Sequence, residues 1–240
     1  MVTMSTRAFA RRNRGPDLAS PLTSSRLAVF DLDRTLLPGS SLMVLGRALH
    51  RAGLVDGREL AGWVAREAAF ARRGEGPSTA QRLLGSLLAS VAGREAAPYL
   101  TVARNLGDEL ATAAVPGARW LLDMHMAVGD FCVIVSASPQ ELVEAAARAL
   151  GAHRAVGTRT QLAGGCFTGR LEGPFCHGRG KLARLWVELG TADLSQATAY
   201  SDSASDLPML KAAGRPVAVN PDRRLRRAAV AAGWPVVRLA

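Results

Sequence analysis

The 240-residue sequence predicts an α/β fold in which helices cover a parallel β-sheet, with a helical segment inserted near its start. Three short apolar runs, at residues 27–30, 131–135 and 197–200, predict buried strands, because parallel strands are covered on both faces. Acidic or hydroxyl side chains follow each run. Since the carboxyl ends of parallel strands meet at one edge of a sheet, we expect these side chains to form one ligand site.

The first apolar run leads into the sequence RLAVFDLDRT, which places Asp31, Asp33 and Thr35 two positions apart. Two carboxylates so close together repel each other unless a cation or a proton lies between them. The pair therefore favours metal-assisted chemistry. An aspartate that starts a turn, followed by one that caps a helix, would give the same letters, so the motif alone leaves both interpretations open.

An inserted segment is predicted because roughly one hundred residues separate this motif from Ser136, too many for one crossover helix. Residues 42–113 carry leucines three and four positions apart, which is typical of amphipathic helices. We expect a helical cap there, broken at Gly74, Gly76 and Pro77, over a core made of residues 26–41 and 114–240. A helical bundle without a part in the chemistry would show the same periodicity.

The second half of the chain predicts alternating strands and helices. Ser138, Pro139 and Glu141 are typical of a helix N-cap, first position and capping box, and Gly151 is typical of a helix end. The amino end of that helix would direct N–H groups at an anion, so we expect a phosphate beside Ser136.

Three more elements are predicted downstream. Residues 158–175 are typical of a hairpin or flap, because they contain a Gly-Gly pair between β-forming residues. Asn220 and Pro221 are expected to cap the last helix, and residues 236–239 to form a final strand.

Two further motifs complete a recognisable order. Lys181 lies in GRGK, and SDSASDLPML places Asp202 and Asp206 four positions apart. The order DxDxT, Ser, Lys and DSxxD resembles the haloacid dehalogenase (HAD) superfamily of phosphohydrolases. The segments GSS, TGRLEGP, DLPML and AVNPDRRLRR are similar to its subfamily IB, the phosphoserine-phosphatase-like enzymes. This resemblance extends over residues 26–240 and implies a Rossmann-like core with a helical cap of type C1.

The resemblance also implies catalytic and metal-binding roles. Asp31 would be the nucleophile that forms an aspartyl-phosphate, and Asp33 would be the general acid and base. Mg²⁺ would be held by Asp31, by the main-chain carbonyl of Asp33 and by Asp202, with water and a phosphate oxygen in the remaining positions.

Phosphate-binding roles are implied for Ser136 and Lys181, and for Thr35, which could instead stabilise the turn after Asp33. Asp206 would orient a water molecule or the lysine from outside the metal site.

The substrate is left open by one departure from the phosphoserine-specific relatives. They carry a glutamate nine residues after the nucleophile for the substrate's ammonium group, and here that position is Ser40. We therefore expect a phosphomonoester hydrolase for a small phosphorylated metabolite, with phosphoserine phosphatase as the alternative. A phosphotransferase would pass the phosphoryl group to another alcohol instead of water. A non-catalytic protein that binds nucleic acid or a membrane surface is the alternative from a different class.

The composition limits the partners. A net charge of +10 and a pI near 11.0 suit nucleic acid, an anionic membrane or phosphorylated substrates, but an aromatic content of 5% is poor for base stacking. We therefore expect no nucleic-acid partner. The arginine-containing residues 1–25 predict a disordered basic arm.

The location is predicted from what the sequence lacks. Three widely spaced cysteines indicate neither a disulfide framework nor a zinc site, which favours a reducing cytoplasm. No apolar stretch reaches the roughly 18 residues of a transmembrane segment. The oligomeric state is not indicated by any motif.

Overall fold

The computed structural model describes residues 26–73, 77–190 and 193–239. The predicted basic arm and the predicted break at Gly74 and Gly76 lie outside the described residues. In chain order the described strands are β1 (Leu27–Asp31), β2 (Phe131–Pro139), β3 (Arg154–Thr158), β4 (Thr160–Ala163), β5 (Cys166–Leu171), β6 (Thr198–Ser201), β7 (Arg215–Val219) and β8 (Val236–Val237).

The helices of the described residues alternate with these strands after an initial run of helices. They are α1 (Ser41–Arg51), α2 (Gly57–Arg73), α3 (Pro77–Val91), α4 (Ala96–Arg104), α5 (Gly107–Thr112), α6 (Pro116–Ala127), α7 (Gln140–Leu150), α8 (Arg179–Leu189), α9 (Leu207–Ala212) and α10 (Arg223–Ala231). Within the described ranges, none of these helices combines the length and the apolar character needed to cross a bilayer.

The main sheet confirms the predicted α/β class. Within the described chain it has six strands in the order β3-β2-β1-β6-β7-β8, and every neighbouring pair is parallel. β4 and β5 form a separate antiparallel hairpin, at the position predicted for a flap. The strand order reverses beside β1, and ligands bind at such points in open α/β sheets.

The sheet is covered on both faces because successive β1 side chains point in opposite directions. Phe30 packs with Ile134 in one apolar cluster, whereas Val29 packs with Val133 in a second cluster on the other face. All four side chains are almost completely inaccessible to solvent. β1 is therefore fixed at the centre of the core, and its last residue, Asp31, is held in a defined position.

Some predicted element ends are wrong. Strand β2 continues to Pro139 and α7 begins at Gln140, with no side-chain hydrogen bond at its cap, so Ser138 is not an N-cap. Ser138 is used at the site instead. The last helix is capped by Asp222, whose Oδ1 accepts the N–H groups of Arg224 and Leu225, both at 2.7 Å, and not by Asn220.

The final strand is also shorter than predicted, with Val236–Val237 in place of residues 236–239. The Asn220 side chain accepts the N–H of Leu239 at 2.9 Å and donates to its carbonyl at 3.0 Å. These side-chain hydrogen bonds replace further pairing along the edge of the sheet.

One close contact between the inserted helices and the core is made by α5. Gly107, the first residue of α5, packs against the main chain of α7, where an added Cβ would lie 2.7 Å from the carbonyl oxygen of Ala145. Only a residue without a side chain allows this approach. By contrast, a Cβ added to Gly85 on α3 would meet no atom within 4 Å.

We expect Gly107→Ala to lower the free energy of unfolding by about 1–3 kcal/mol, because the new methyl group overpacks a helix contact made by main-chain atoms. Gly85→Ala is the matched control. It should be neutral or stabilise by up to about 1 kcal/mol, because alanine favours the helix. Urea unfolding of both variants measures the difference, and equal stabilities would contradict the close contact between α5 and α7.

Candidate active site

The predicted site residues lie at the carboxyl edge of three neighbouring strands. β1 pairs Asp31 with Val135 of β2 and Phe30 with Tyr200 of β6. Ser136 is therefore one residue beyond the level of Asp31 on one side, and Asp202 follows directly after β6 on the other. The parallel register brings these side chains together although they are far apart in sequence.

The chain leaves β1 through a wide turn over Leu32–Leu36, which is closed by a hydrogen bond of 2.9 Å from the N–H of Leu37 to the carbonyl of Leu32. Arg34 has a φ of +60° within this turn, in the left-handed region. The turn brings Thr35 back over the strand end, where its hydroxyl donates to Asp31 Oδ2 at 3.0 Å. Thr35 is buried, and this hydrogen bond holds one oxygen of Asp31.

Lys181 connects two carboxylates in the interior. Its Nζ donates to Asp31 Oδ1 and to Asp206 Oδ2, both at 2.6 Å, and all three side chains are less than a tenth exposed. Burial is the largest single effect on the lysine and lowers its pKa. The charges of Asp206 and Asp31 and their hydrogen bonds together outweigh burial, so the pKa of Lys181 lies above its ordinary value. The ammonium group therefore remains charged between the two acids.

The same surroundings determine the pKa and the orientation of the Asp31 carboxyl. Burial raises the pKa of its carboxyl to about 7, aided by the charges of Asp206 and Asp33 and opposed by Lys181. Because Thr35 and Lys181 each hold one of its oxygens, the carboxylate has a fixed orientation toward the cavity.

Asp206 has one oxygen with partners and one without. Its Oδ2 accepts from Ser201 Oγ at 2.7 Å as well as from Lys181, whereas Oδ1 is buried and has no hydrogen-bond partner among the described residues. A buried carboxylate oxygen left without a partner is unfavourable, so it indicates a position for a cation or a water molecule.

Asp33 lies in extended backbone, with φ −74° and ψ 126°, and is not part of a helix. Its Oδ1 accepts the N–H of Ser41, the first residue of α1, at 2.7 Å. Burial raises the pKa of its carboxyl, and the hydrogen bond from Ser41 opposes that effect. Asp33 therefore accepts a main-chain hydrogen bond at a helix start and also lines the cavity, and the metal-assisted interpretation of the motif stays a prediction.

Three serines surround the aspartates in a way that the sequence analysis missed. The hydroxyls of Ser41 and Ser138 lie 2.7 Å apart, and Ser138 Oγ donates to Asp33 Oδ2 at 3.4 Å. Ser201 donates to Asp206. The signals were present in the GSS segment and in the second serine of SASP, but local patterns do not predict contacts across about one hundred residues.

Ser136 is buried beside these groups, where its hydroxyl accepts the N–H of Ser138 at 3.1 Å. Asp31, Asp33, Ser136, Lys181, Asp202 and Asp206 line one cavity of about 230 Å³. Thr35 alone of the predicted residues is not part of the described lining. The structure thus brings the four distant motifs to a single cavity.

The donor set of this cavity fits a hard cation such as Mg²⁺, because carboxylate oxygens from two strand ends face the same space and one oxygen of Asp206 lacks a partner. Among the described residues, no group of three or more acidic, histidine or cysteine side chains forms a ligand cluster by itself. A six-coordinate ion would therefore also use a main-chain carbonyl, water and substrate oxygens, as Mg²⁺ does in phosphate sites.

The comparisons with known proteins agree with this geometry. Residues 28–211 match the family model of the haloacid dehalogenase-like hydrolases. The chain is 36% identical over 227 residues to phosphoserine phosphatase SerB1 of Mycobacterium tuberculosis, covering 92% of this chain and 73% of that protein. It is 30% identical over 218 residues to a histidinol-phosphatase of Neisseria meningitidis, covering 88% of this chain and 97% of that protein.

Solved structures show the same fold. A protein of unknown function from Bordetella pertussis has a TM-score of 0.70 at 32% identity and covers 90% of this chain and 99% of its own. A phospho-aspartyl intermediate analogue of phosphoserine phosphatase has a TM-score of 0.59 at 19% identity, covering 85% and 90%. The chain therefore belongs to the haloacid dehalogenase-like hydrolase family and is an enzyme of its phosphatase type.

Proposed function

We propose that the protein is a Mg²⁺-dependent phosphomonoester hydrolase that acts on a small phosphorylated metabolite through an aspartyl-phosphate on Asp31. The observation that carries the proposal is a buried carboxylate whose two oxygens are held by Lys181 and Thr35 at the cavity wall. Phosphate monoesters react slowly because their charge repels nucleophiles, so a catalyst must neutralise charge and hold the attacking atom in line.

In the first step an oxygen of Asp31 attacks phosphorus while the ester P–O bond breaks, and Asp33 gives its proton to the departing alcohol. In the second step water attacks the same phosphorus, returns Asp31 to a carboxylate and gives a proton back to Asp33. The raised pKa of Asp33 supports this exchange, because a carboxyl that keeps its proton closer to neutral pH is available to donate it to the leaving group.

Phosphate oxygens are proposed to bind Ser136 and Lys181, with Asp206 holding the lysine in place. Asp31, the carbonyl of Asp33 and Asp202 would hold Mg²⁺, which, when bound, offsets the charge of the phosphoryl group. The helices within residues 42–113 are proposed to act as a cap over the core of residues 26–41 and 114–240.

Phosphoserine is the alternative substrate, since the relative from Mycobacterium tuberculosis is named for it. The position that would receive the substrate's ammonium group is Ser40, an uncharged residue of the cavity lining, which favours a different metabolite. A location in a reducing cytoplasm is also proposed, on the wide spacing of the three cysteines in the sequence.

Asp31→Asn should lower kcat/KM for p-nitrophenyl phosphate by at least about a thousandfold, because the amide oxygen is a poor nucleophile. Asp123→Asn, at a half-exposed aspartate on α6 that pairs with Arg119, is the matched control and should keep activity. Phosphate release and trapping of the phosphorylated chain measure the outcome. Full activity in Asp31→Asn would exclude the aspartyl-phosphate, and no activity in the native chain would favour a binding protein.

Lys181→Met should lower kcat/KM by about 10²–10³-fold through loss of charge stabilisation at the transferring phosphoryl group. It should also lower the free energy of unfolding by about 3–5 kcal/mol, since two buried carboxylates lose their cation. Lys211→Met, at an exposed lysine of α9, is the control. Unchanged kinetics in a folded Lys181→Met variant would contradict the proposed role.

Removal of divalent ions with EDTA should abolish activity, and Mg²⁺ should restore it, because the proposed ligands are all oxygen atoms. Asp202→Asn should raise the half-saturating Mg²⁺ concentration at least about tenfold. Titration of activity against Mg²⁺ in this variant and in Asp123→Asn measures the difference. Equal Mg²⁺ requirements would remove Asp202 from the proposed ligand set.

A further inference from the structure

The cavity continues beyond the carboxylates and extends between the inserted helices, where its lining changes from polar to apolar. The lining there is almost entirely apolar and includes Leu45, Leu49, Trp63, Leu88, Leu100 and Phe167. Leu45, Leu49 and Trp63 are at most 6% exposed, so this wall is a formed part of the structure. One end of the cavity is therefore built for an anion and the other for an apolar group.

The charged residues of the lining belong to the other end. Apart from the carboxylates and lysine of the site, they are Arg34, Glu141 and His177, from the turn after β1, the start of α7 and the approach to α8. Among inserted residues whose side chains the structure describes, no charged group lines the cavity. Against these described side chains, a zwitterionic group would lose water without gaining a counter-ion, which is unfavourable.

Two polar groups beside the apolar wall, those of Tyr99 and Arg94, are already paired. Tyr99 lines the cavity with its ring, while its hydroxyl donates to the carbonyl of Leu54 at 2.8 Å and accepts from Arg94 at 2.8 Å. Arg94 also binds Glu59 and the Leu54 carbonyl. These interactions direct the phenol and the guanidinium away from the cavity.

The hairpin of β4 and β5 closes the apolar end. The N–H of Gly93 donates to the carbonyl of Phe167 at 2.8 Å, and the N–H of Phe167 donates to the carbonyl of Arg94 at 3.0 Å. The Phe167 ring then packs edge to face on Tyr99, with centroids 5.7 Å apart. The hairpin and the inserted helices thus form one continuous wall.

From this lining we propose that the preferred substrate is the phosphate monoester of an apolar alcohol, whose hydrocarbon part lies between the inserted helices and the hairpin. The inference rests on the proposed phosphatase function and specifies its leaving group. The cavity, at about 230 Å³, is smaller than the roughly 300–1,000 Å³ typical of drug-sized ligands, so a short or medium chain fits.

The test is a series of n-alkyl phosphates from ethyl to hexyl, assayed with Mg²⁺ below their aggregation concentrations. Burial of one methylene is worth about 0.8 kcal/mol, so kcat/KM should rise about fourfold per carbon until the cavity is filled. The kcat/KM for propyl phosphate should be at least about tenfold higher than that for phosphoserine, which has the same three-carbon skeleton with two added charges.

Leu88→Gln tests the wall, with Leu162→Gln on the exposed face of β4 as the matched control. The ratio of kcat/KM for hexyl over ethyl phosphate should fall about tenfold in Leu88→Gln and stay unchanged in Leu162→Gln. Far-UV circular dichroism and the urea midpoint of both variants show separately that they are folded.

Two outcomes separate this inference from the proposed function. Hydrolysis of ethyl phosphate or phosphoserine without any rise along the series, or with phosphoserine preferred, would overturn the apolar leaving group and leave the phosphatase intact. Failure to hydrolyse any monoester would overturn the proposed function itself.

Discussion

The site depends on one buried interaction, the bridge of Lys181 between Asp31 and Asp206. Removing three charges from water is unfavourable, and such a cluster often stabilises a fold less than apolar side chains of similar volume would. The cluster contributes here mainly by fixing the positions of its side chains. The lysine fixes one oxygen of Asp31 and ties together the end of β1, the first turn of α8 and the segment after β6.

That bridge is possible only because of the strand order. β1 lies between β2 and β6, and the chain adds strands outward on both sides, so the polar side chains after all three strands face one space. The wide turn over Leu32–Leu36 then directs the chain away from the sheet and returns Thr35 to Asp31. The same turn leads into α1, whose first N–H group is satisfied by Asp33.

The polar and the apolar side chains that line the cavity come from different elements of the structure. The segments after the strand ends and the first turn of α8 supply the carboxylates, the serine hydroxyls and the lysine, whereas the inserted helices and the hairpin supply leucine and aromatic side chains. The geometry of the strand ends does not depend on the side chains of the apolar wall, since the two sets belong to different elements. The proposed substrate preference and the proposed chemistry therefore rest on different parts of the chain.

The sequence by itself determined the α/β class, the three central strands, the helical nature of the insert and the motif residues from Asp31 to Asp206. These are visible because apolar periodicity and short motifs are local properties of a chain. The tertiary structure alone decided that Ser138 contacts Asp33 instead of capping α7, that Ser41 and Ser201 join the site, and that Asp222 caps α10. It also decided the apolar wall, since leucines at helical spacing predict a buried face without saying whether protein or substrate covers it. Contacts between residues distant in sequence follow from strand register and helix packing, which no local pattern encodes.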